Sequence, residues 1–128
     1  MKGGYLLSYD EDLLVKFANA LASDGIEFWA SDDGVQFRDR ETSGLFTIDK
    51  TRPEVAWDFR DPPHFPLPGV ALPDMSSVLG YGVDCRWEHL FVRTVRRIAL
   101  ASGQPAWVLD GDSVVWDATA VDPDRVRL

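Results

Sequence analysis

The sequence predicts an α+β fold: a single mainly antiparallel β-sheet with two α-helices packed on one face, in one domain over residues 1–128. Three observations carry this. Two segments place apolar residues at helical spacing. The stretches around them are short, β-prone and punctuated by Asp/Gly turns. The chain is 45% apolar and 27% charged over 128 residues, a composition that builds one core without staples.

In order along the chain, YLLSY (5–9) alternates in β fashion. Ser8-x-x-Glu11 has capping-box form, with Asp10 as a second cap candidate. In the following DLLVKFANALAS, Leu13, Leu14, Phe17, Ala18 and Leu21 share a helical face, and Asp24-Gly25 ends the helix. IEFWA, SDDG and VQFRDRE read as a hairpin. LFTIDKT and EVAWDFR continue it as strands, giving a meander of about four. DPPHFPLPGVALPDMSS (61–77) holds five of the eight prolines, which prevents regular structure. Its Phe65, Leu67, Val70 and Leu72 suit a cover over an open sheet face, or an apolar recognition segment. Asp84 is then expected to cap a second helix with Phe91, Val95, Ile98 and Ala99 as its stripe and Leu90 beside it. Gly103 and Pro105 stop that helix. PAWVLDGDSVVWDA reads as a second hairpin, and VDPDRVRL as a turn with a short edge strand.

The two hairpins echo each other. Residues 20–37 and 99–116 align at a constant offset of 79 with six of eighteen pairs identical. The echo predicts a helix–hairpin pseudo-repeat, with aromatics facing the core and the acidic turns facing water.

Charge narrows the function. The net charge is −8, which disfavours nucleic acid and suits a basic protein partner or simple solubility. The single cysteine, Cys85, permits no internal disulfide and fits a reducing compartment. No signal peptide and no membrane span are legible, so the expected location is cytoplasmic.

Several patterns invite a chemical reading. Asp110-x-Asp112-x-Val114 after WVL matches the nucleophile motif of haloacid-dehalogenase-like phosphatases. The rest of that family's machinery has no place to follow: 16 residues remain after Asp112, and Lys50 is the last lysine. A hairpin turn is the better reading. Neither acidic turn matches an EF-hand. Cys85 and His89, four apart, have the spacing of a thiolate–imidazole pair or two metal ligands, with His64 the only other histidine. A buried cysteine beside a surface histidine is the plainer account, and no metal or cofactor is expected. Arg86, Arg93, Arg96 and Arg97 form a basic helix face, and segment 86–97 (four Arg, one Glu) carries a net +3. This reads as ion pairing with Asp-rich strands or as an interface patch.

The segments VRRIALASGQPAWVLDGDSVVWDA and MKGGYLLSYDEDLLVKFANAL resemble, in style, small bacterial immunity proteins linked to polymorphic toxins, and also small actinobacterial-type α+β proteins of this length. The resemblance implies a non-catalytic inhibitor that neutralises a cognate toxin domain by binding it. Contacts are expected at Asp32, Asp33, Asp110 and Asp112, or at Phe65 and Leu67 of the proline loop. The alternatives are a small enzyme or ligand-binding protein with a pocket under 61–77, using His64, Cys85 and His89, and a subunit whose edge strand pairs with another copy. The oligomeric state stays open.

Overall fold

The computed structural model describes residues 3–128. In chain order its elements are β1 (Gly3–Ser8), α1 (Leu13–Ser23), β2 (Phe28–Ala30), β3 (Gly34–Arg38), β4 (Leu45–Lys50), a 3-10 turn (Pro53–Val55), α2 (Trp57–Arg60), β5 (Phe65–Pro66), β6 (Leu79–Asp84), α3 (Glu88–Ser102), β7 (Ala106–Leu109) and β8 (Val114–Asp117). The fold is α+β with one eight-stranded sheet in the order β2-β3-β4-β6-β1-β7-β8-β5. Every pairing is antiparallel except β5 with β8, which is parallel.

The two predicted stripes bury as helices on one face of this sheet. Leu13, Leu14, Phe17 and Leu21 of α1, and Leu90, Phe91, Val95, Ile98 and Ala99 of α3, meet Leu6, Val35, Phe37, Phe46, Ile48, Tyr81, Val83 and Val108 of the strands. The two helices also pack on each other. Phe17 sets its ring edge-on to Phe37 and Phe46, each at 6.1 Å. Each such fully buried side chain stabilises the fold by about 1.5–3 kcal/mol. Gly25 and Gly103 follow the helices at φ +68° and +72°, as their predicted stop positions require.

Alternation puts the neighbouring residues on the second face, where only one half is covered. There Leu7, Leu109 and Val115 pack against Phe59 and Val78, with Val70 and Met75 at the margin. The proline loop covers this half only in part: of its four expected apolar residues Val70 packs here, with Met75, while Phe65 and Leu72 are exposed and Leu67 packs against the helix-side core. Trp107 Nε1 donates to the Ala71 carbonyl at 2.8 Å, and the Asp74 amide donates to Tyr9 Oη at 2.7 Å. Arg60 donates to the Met75 carbonyl at 2.8 Å.

Four local expectations change. EVAWDFR is not a strand but the 3-10 turn and α2, a third, one-turn helix on the second face. Val55, Trp57 and Phe59 mimic β alternation, yet only Phe59 is buried. Pro53 opens the turn with its φ preset and lacks the N–H that a strand there would use. Asp84, expected to cap the second helix, instead ends β6, which pairs with both β1 and β4, and the position before α3 is Trp87. The glycines of β6 conceal it, and Gly80 is needed: a Cβ there would lie 2.3 Å from the Phe59 ring. The C-terminal tail forms no strand, but buries Val121 and Val126. The capping box does not form; Ser8 Oγ accepts the Asp10 amide at 3.0 Å, and Asp10 Oδ1 accepts the Asp12 amide at 2.9 Å.

The helix–hairpin order occurs twice, but the sheet does not repeat it. In β2–β3 the second strand lies nearer the sheet centre, whereas in β7–β8 the first does. Following the registers outward from β1, the 31–33 turn lies at the end where β1 finishes, and the 110–113 turn at the end where β1 begins. The acidic tips stand at opposite ends and opposite sides of the sheet.

Candidate functional site

The uncovered half of the second face forms a recess. Thr47 and Asp49 of β4 alternate with the buried Phe46 and Ile48, and so project there. Gly82 and Asp84 of β6, Gln36 of β3 and Trp29 of β2 share the same face by register. A cavity of about 480 Å³ opens between this surface and α2, lined by Tyr5, Thr47, Asp49, Arg52, Asp58 and Asp84 among others. Adjoining clefts extend it, one of about 660 Å³ past Asp33 and Lys50 and one of about 240 Å³ past Trp29 and Gln36. Gly34 forms part of the floor, because the Asp49 carboxylate lies where its Cβ would be, 2.2 Å from Oδ1.

The electrostatics are one-sided at the centre. Partial burial raises the Asp49 carboxyl above its ordinary value, and the charges of Asp33 and Asp84 push it further the same way. Tyr5 donates a hydrogen bond to Asp58 at the boundary with the covered half. Burial, then that bond and the charge of Asp58, hold the Tyr5 phenol at about 12, so it stays a neutral donor. Lys50 and Arg52 line the rim. Trp29, 63% exposed, lies at the far end.

The residues singled out from the sequence are dispersed. Asp32 and Asp33 are exposed in the β2–β3 turn, and Asp33 reaches the recess. Asp110 does not face water: it is 6% exposed, and its carboxylate accepts the amides of Asp112 (2.9 Å), Val114 (3.0 Å) and Arg127 (3.3 Å) and the indole N–H of Trp116 (3.0 Å). The D-x-D motif is thus a turn clamp. Asp112 is exposed and faces Arg127 at 3.8 Å. Phe65 is exposed on β5, while Leu67 is partly buried against the helix-side core.

The basic residues are largely occupied by the protein itself. Arg93 pairs with Asp39 at 2.9 Å, Arg97 with Asp24, and Arg96 donates to the Thr119 carbonyl at 3.2 Å. Arg86 is exposed and precedes α3 rather than lying on it. Cys85 belongs to the helix-side core, and burial pushes its thiol up, away from thiolate chemistry. His89 is exposed, and His64 Nε2 is 2.9 Å from the Phe59 carbonyl on the opposite face of the sheet. These three do not converge, and the recess lies beside α2 rather than under 61–77. Among the described residues no group of three or more His, Cys, Asp or Glu is placed to hold a metal ion, and no helix is long and apolar enough to cross a membrane.

Asp49, Asp58, Asp84 and Tyr5 were not singled out from the sequence. The signal for Asp49 was present: in LFTIDK the residues between the buried ones are polar, so the second face of that strand is wet. Asp84 was hidden by its reading as a helix cap. No protein-family model, curated protein or solved structure matches this chain.

Proposed function

We propose that this chain is a non-catalytic binding protein that docks a basic protein partner on the open half of its second sheet face. The observation that carries the reading is the acidic lining of one recess, where Asp49, Asp58 and Asp84 stand together. Burial first, and then the charges of Asp33 and Asp84, raise the Asp49 carboxyl, and a bound cationic group would relieve that repulsion. Trp29 and Val55, both exposed, supply apolar area at the margins. The stylistic resemblance to immunity proteins gives the partner class, a toxin domain, which the acidic surface would attract by long-range steering. Nucleic acid is not the ligand of this reading, since phosphate needs the opposite charge.

The test is capture of the protein encoded beside this chain's gene, by the wild type and by an Asp49→Lys, Asp84→Lys variant. The wild type should bind at micromolar concentration or tighter, with affinity falling as salt rises. The reversed variant should keep its melting temperature and lose most of the binding. Equal binding by both proteins, or none by the wild type, removes the proposal. Binding of a small cationic molecule in the recess, without any protein partner, would favour the ligand-binding alternative.

A further inference from the structure

The sheet has two edges, and they differ in what they offer. In β5, the Phe65 amide donates to the Ser113 carbonyl at 2.8 Å and the Leu67 amide to the Val115 carbonyl at 3.1 Å. Phe65 and Leu67 therefore point inward, and the residue facing outward is Pro66, which has no N–H. Pro62, Pro63 and Pro68 flank it. That edge is chemically closed.

The β2 edge is open. The Ser31 amide donates to the Gly34 carbonyl at 2.9 Å, which fixes the hydrogen-bond phase of the hairpin. With the register Phe28↔Phe37, Trp29↔Gln36 and Ala30↔Val35, Trp29 bonds inward to Gln36. The N–H and C=O groups of Phe28 and Ala30 point outward. Among the described residues no element pairs with them, because β2 is terminal in the sheet. A shallow cleft of about 490 Å³, lined by Ile26, Glu27, Phe28 and Trp29, runs beside this edge. Around it the side chains are acidic and exposed: Glu27, Asp32 and Asp33.

We infer that β2 accepts an extended, positively charged segment of the partner as a ninth strand. The outward groups of Phe28 and Ala30 supply main-chain pairing, and the flanking carboxylates select cationic side chains. A second copy of this chain is the poorer occupant, because each copy carries −8 and the β2 surroundings would meet acid to acid. The inference rests on the binding reading above and specifies the form of the partner.

Proline separates the two. Ala30→Pro removes one outward donor and leaves the inward bonds of Trp29 and Ser31 in place, so the hairpin should survive, as edge strands tolerate proline. The probe is a capped synthetic peptide alternating Lys with Val and Thr, with a Glu-for-Lys version as control. Binding is followed by amide NMR shifts and hydrogen exchange on the full chain. The expected result is protection of the Phe28 and Ala30 amides by the Lys peptide alone, and affinity about tenfold weaker in the Ala30→Pro variant with an unchanged melting temperature. If the variant does not fold, protection of the two wild-type amides decides by itself. Shifts at Asp49 and Asp84 without protection at Phe28 and Ala30 overturn strand addition and leave the open-face reading standing. An absence of any binding by the Lys peptide overturns strand addition, and the open-face reading then stands or falls on capture of the protein partner. Protection of the same amides without peptide, together with a dimer in sedimentation, overturns the partner strand in favour of a second copy.

Discussion

The β2–β3–β4 wing and the β7–β8–β5 wing are built on the same helix face and finished in opposite ways. The second wing is covered: Phe59, Val78 and the proline loop lie on its outer face. Its turn is clamped by the buried Asp110 carboxylate, and its edge is closed by Pro66. Among the described residues the first wing has a bare outer face, a solvated turn at Asp32 and Asp33 and an edge strand without an outer neighbour. A short, proline-punctuated insertion makes this difference. Where it lies, the sheet is a two-sided core; where it stops, the sheet face is an acidic recess.

The largest expected effect tests the cover. Phe59 is 1% exposed, stacks against Tyr5 at 5.5 Å and rests on Gly80. Phe59→Ala should destabilise the protein by about 3–5 kcal/mol in denaturant unfolding. A loss near 1 kcal/mol or less would mean that the covered wing is no more rigid than the bare one, and the contrast would fail.

The two acidic turns give the next test. Asp110→Ala strands the amides of Asp112, Val114 and Arg127 and the Trp116 indole, and should cost about 3 kcal/mol. Asp33→Ala changes an exposed residue and should stay within about 0.5 kcal/mol by the same measurement. Comparable values for the pair would erase the distinction between a clamp and a free tip.

The same contrast explains what was legible from the chain. The helix stripes at Leu13–Leu21 and Phe91–Ala99 follow from 3.6-residue spacing, and both appear where expected. Three strands of the expected meander appear as well, because β-branched and aromatic residues alternate in them. The hidden elements are those whose residues answer to distant partners. β6 carries a glycine at 80 because Phe59 comes down on it. The 3-10 turn and α2 imitate a strand because Val55, Trp57 and Phe59 alternate, although only Phe59 is buried. Asp110 and Asp33 sit in turns of similar sequence but at different positions in them: Asp110 aligns with Ser31, and it becomes interior by accepting the amides of its own turn, the Trp116 indole of the same hairpin and the Arg127 amide of the C-terminal tail. The site was dispersed across β1, β4, β6 and α2, which no local spacing connects.

The smallest expected effect concerns pH, and here two carboxylates should respond with opposite sign. Asp10 joins the β1–α1 junction to the end of α3. Burial opposes its ionisation, but hydrogen bonds from Lys16 (2.8 Å), Ser102 (2.5 Å) and the Asp12 amide outweigh it and hold the carboxyl below its ordinary value. Its stabilising contribution is complete at neutral pH and disappears as pH falls below about 4 toward its lowered folded value. Asp49 is raised, so the folded protein binds its proton more tightly than the unfolded chain does. Its unfavourable charge is relieved as pH falls through the raised value, and the relief is complete near the ordinary carboxylate range of about 4. Melting temperatures across this range should therefore show Asp49→Asn slightly more stable than wild type at neutral pH, with the gain vanishing on acidification. Asp10→Asn should be less stable at neutral pH, with its deficit shrinking only below about pH 4. If Asp49→Asn lowered stability at neutral pH, the carboxylate would be paired within the free protein. The bare wing would then have no unmet charge to present to a basic partner.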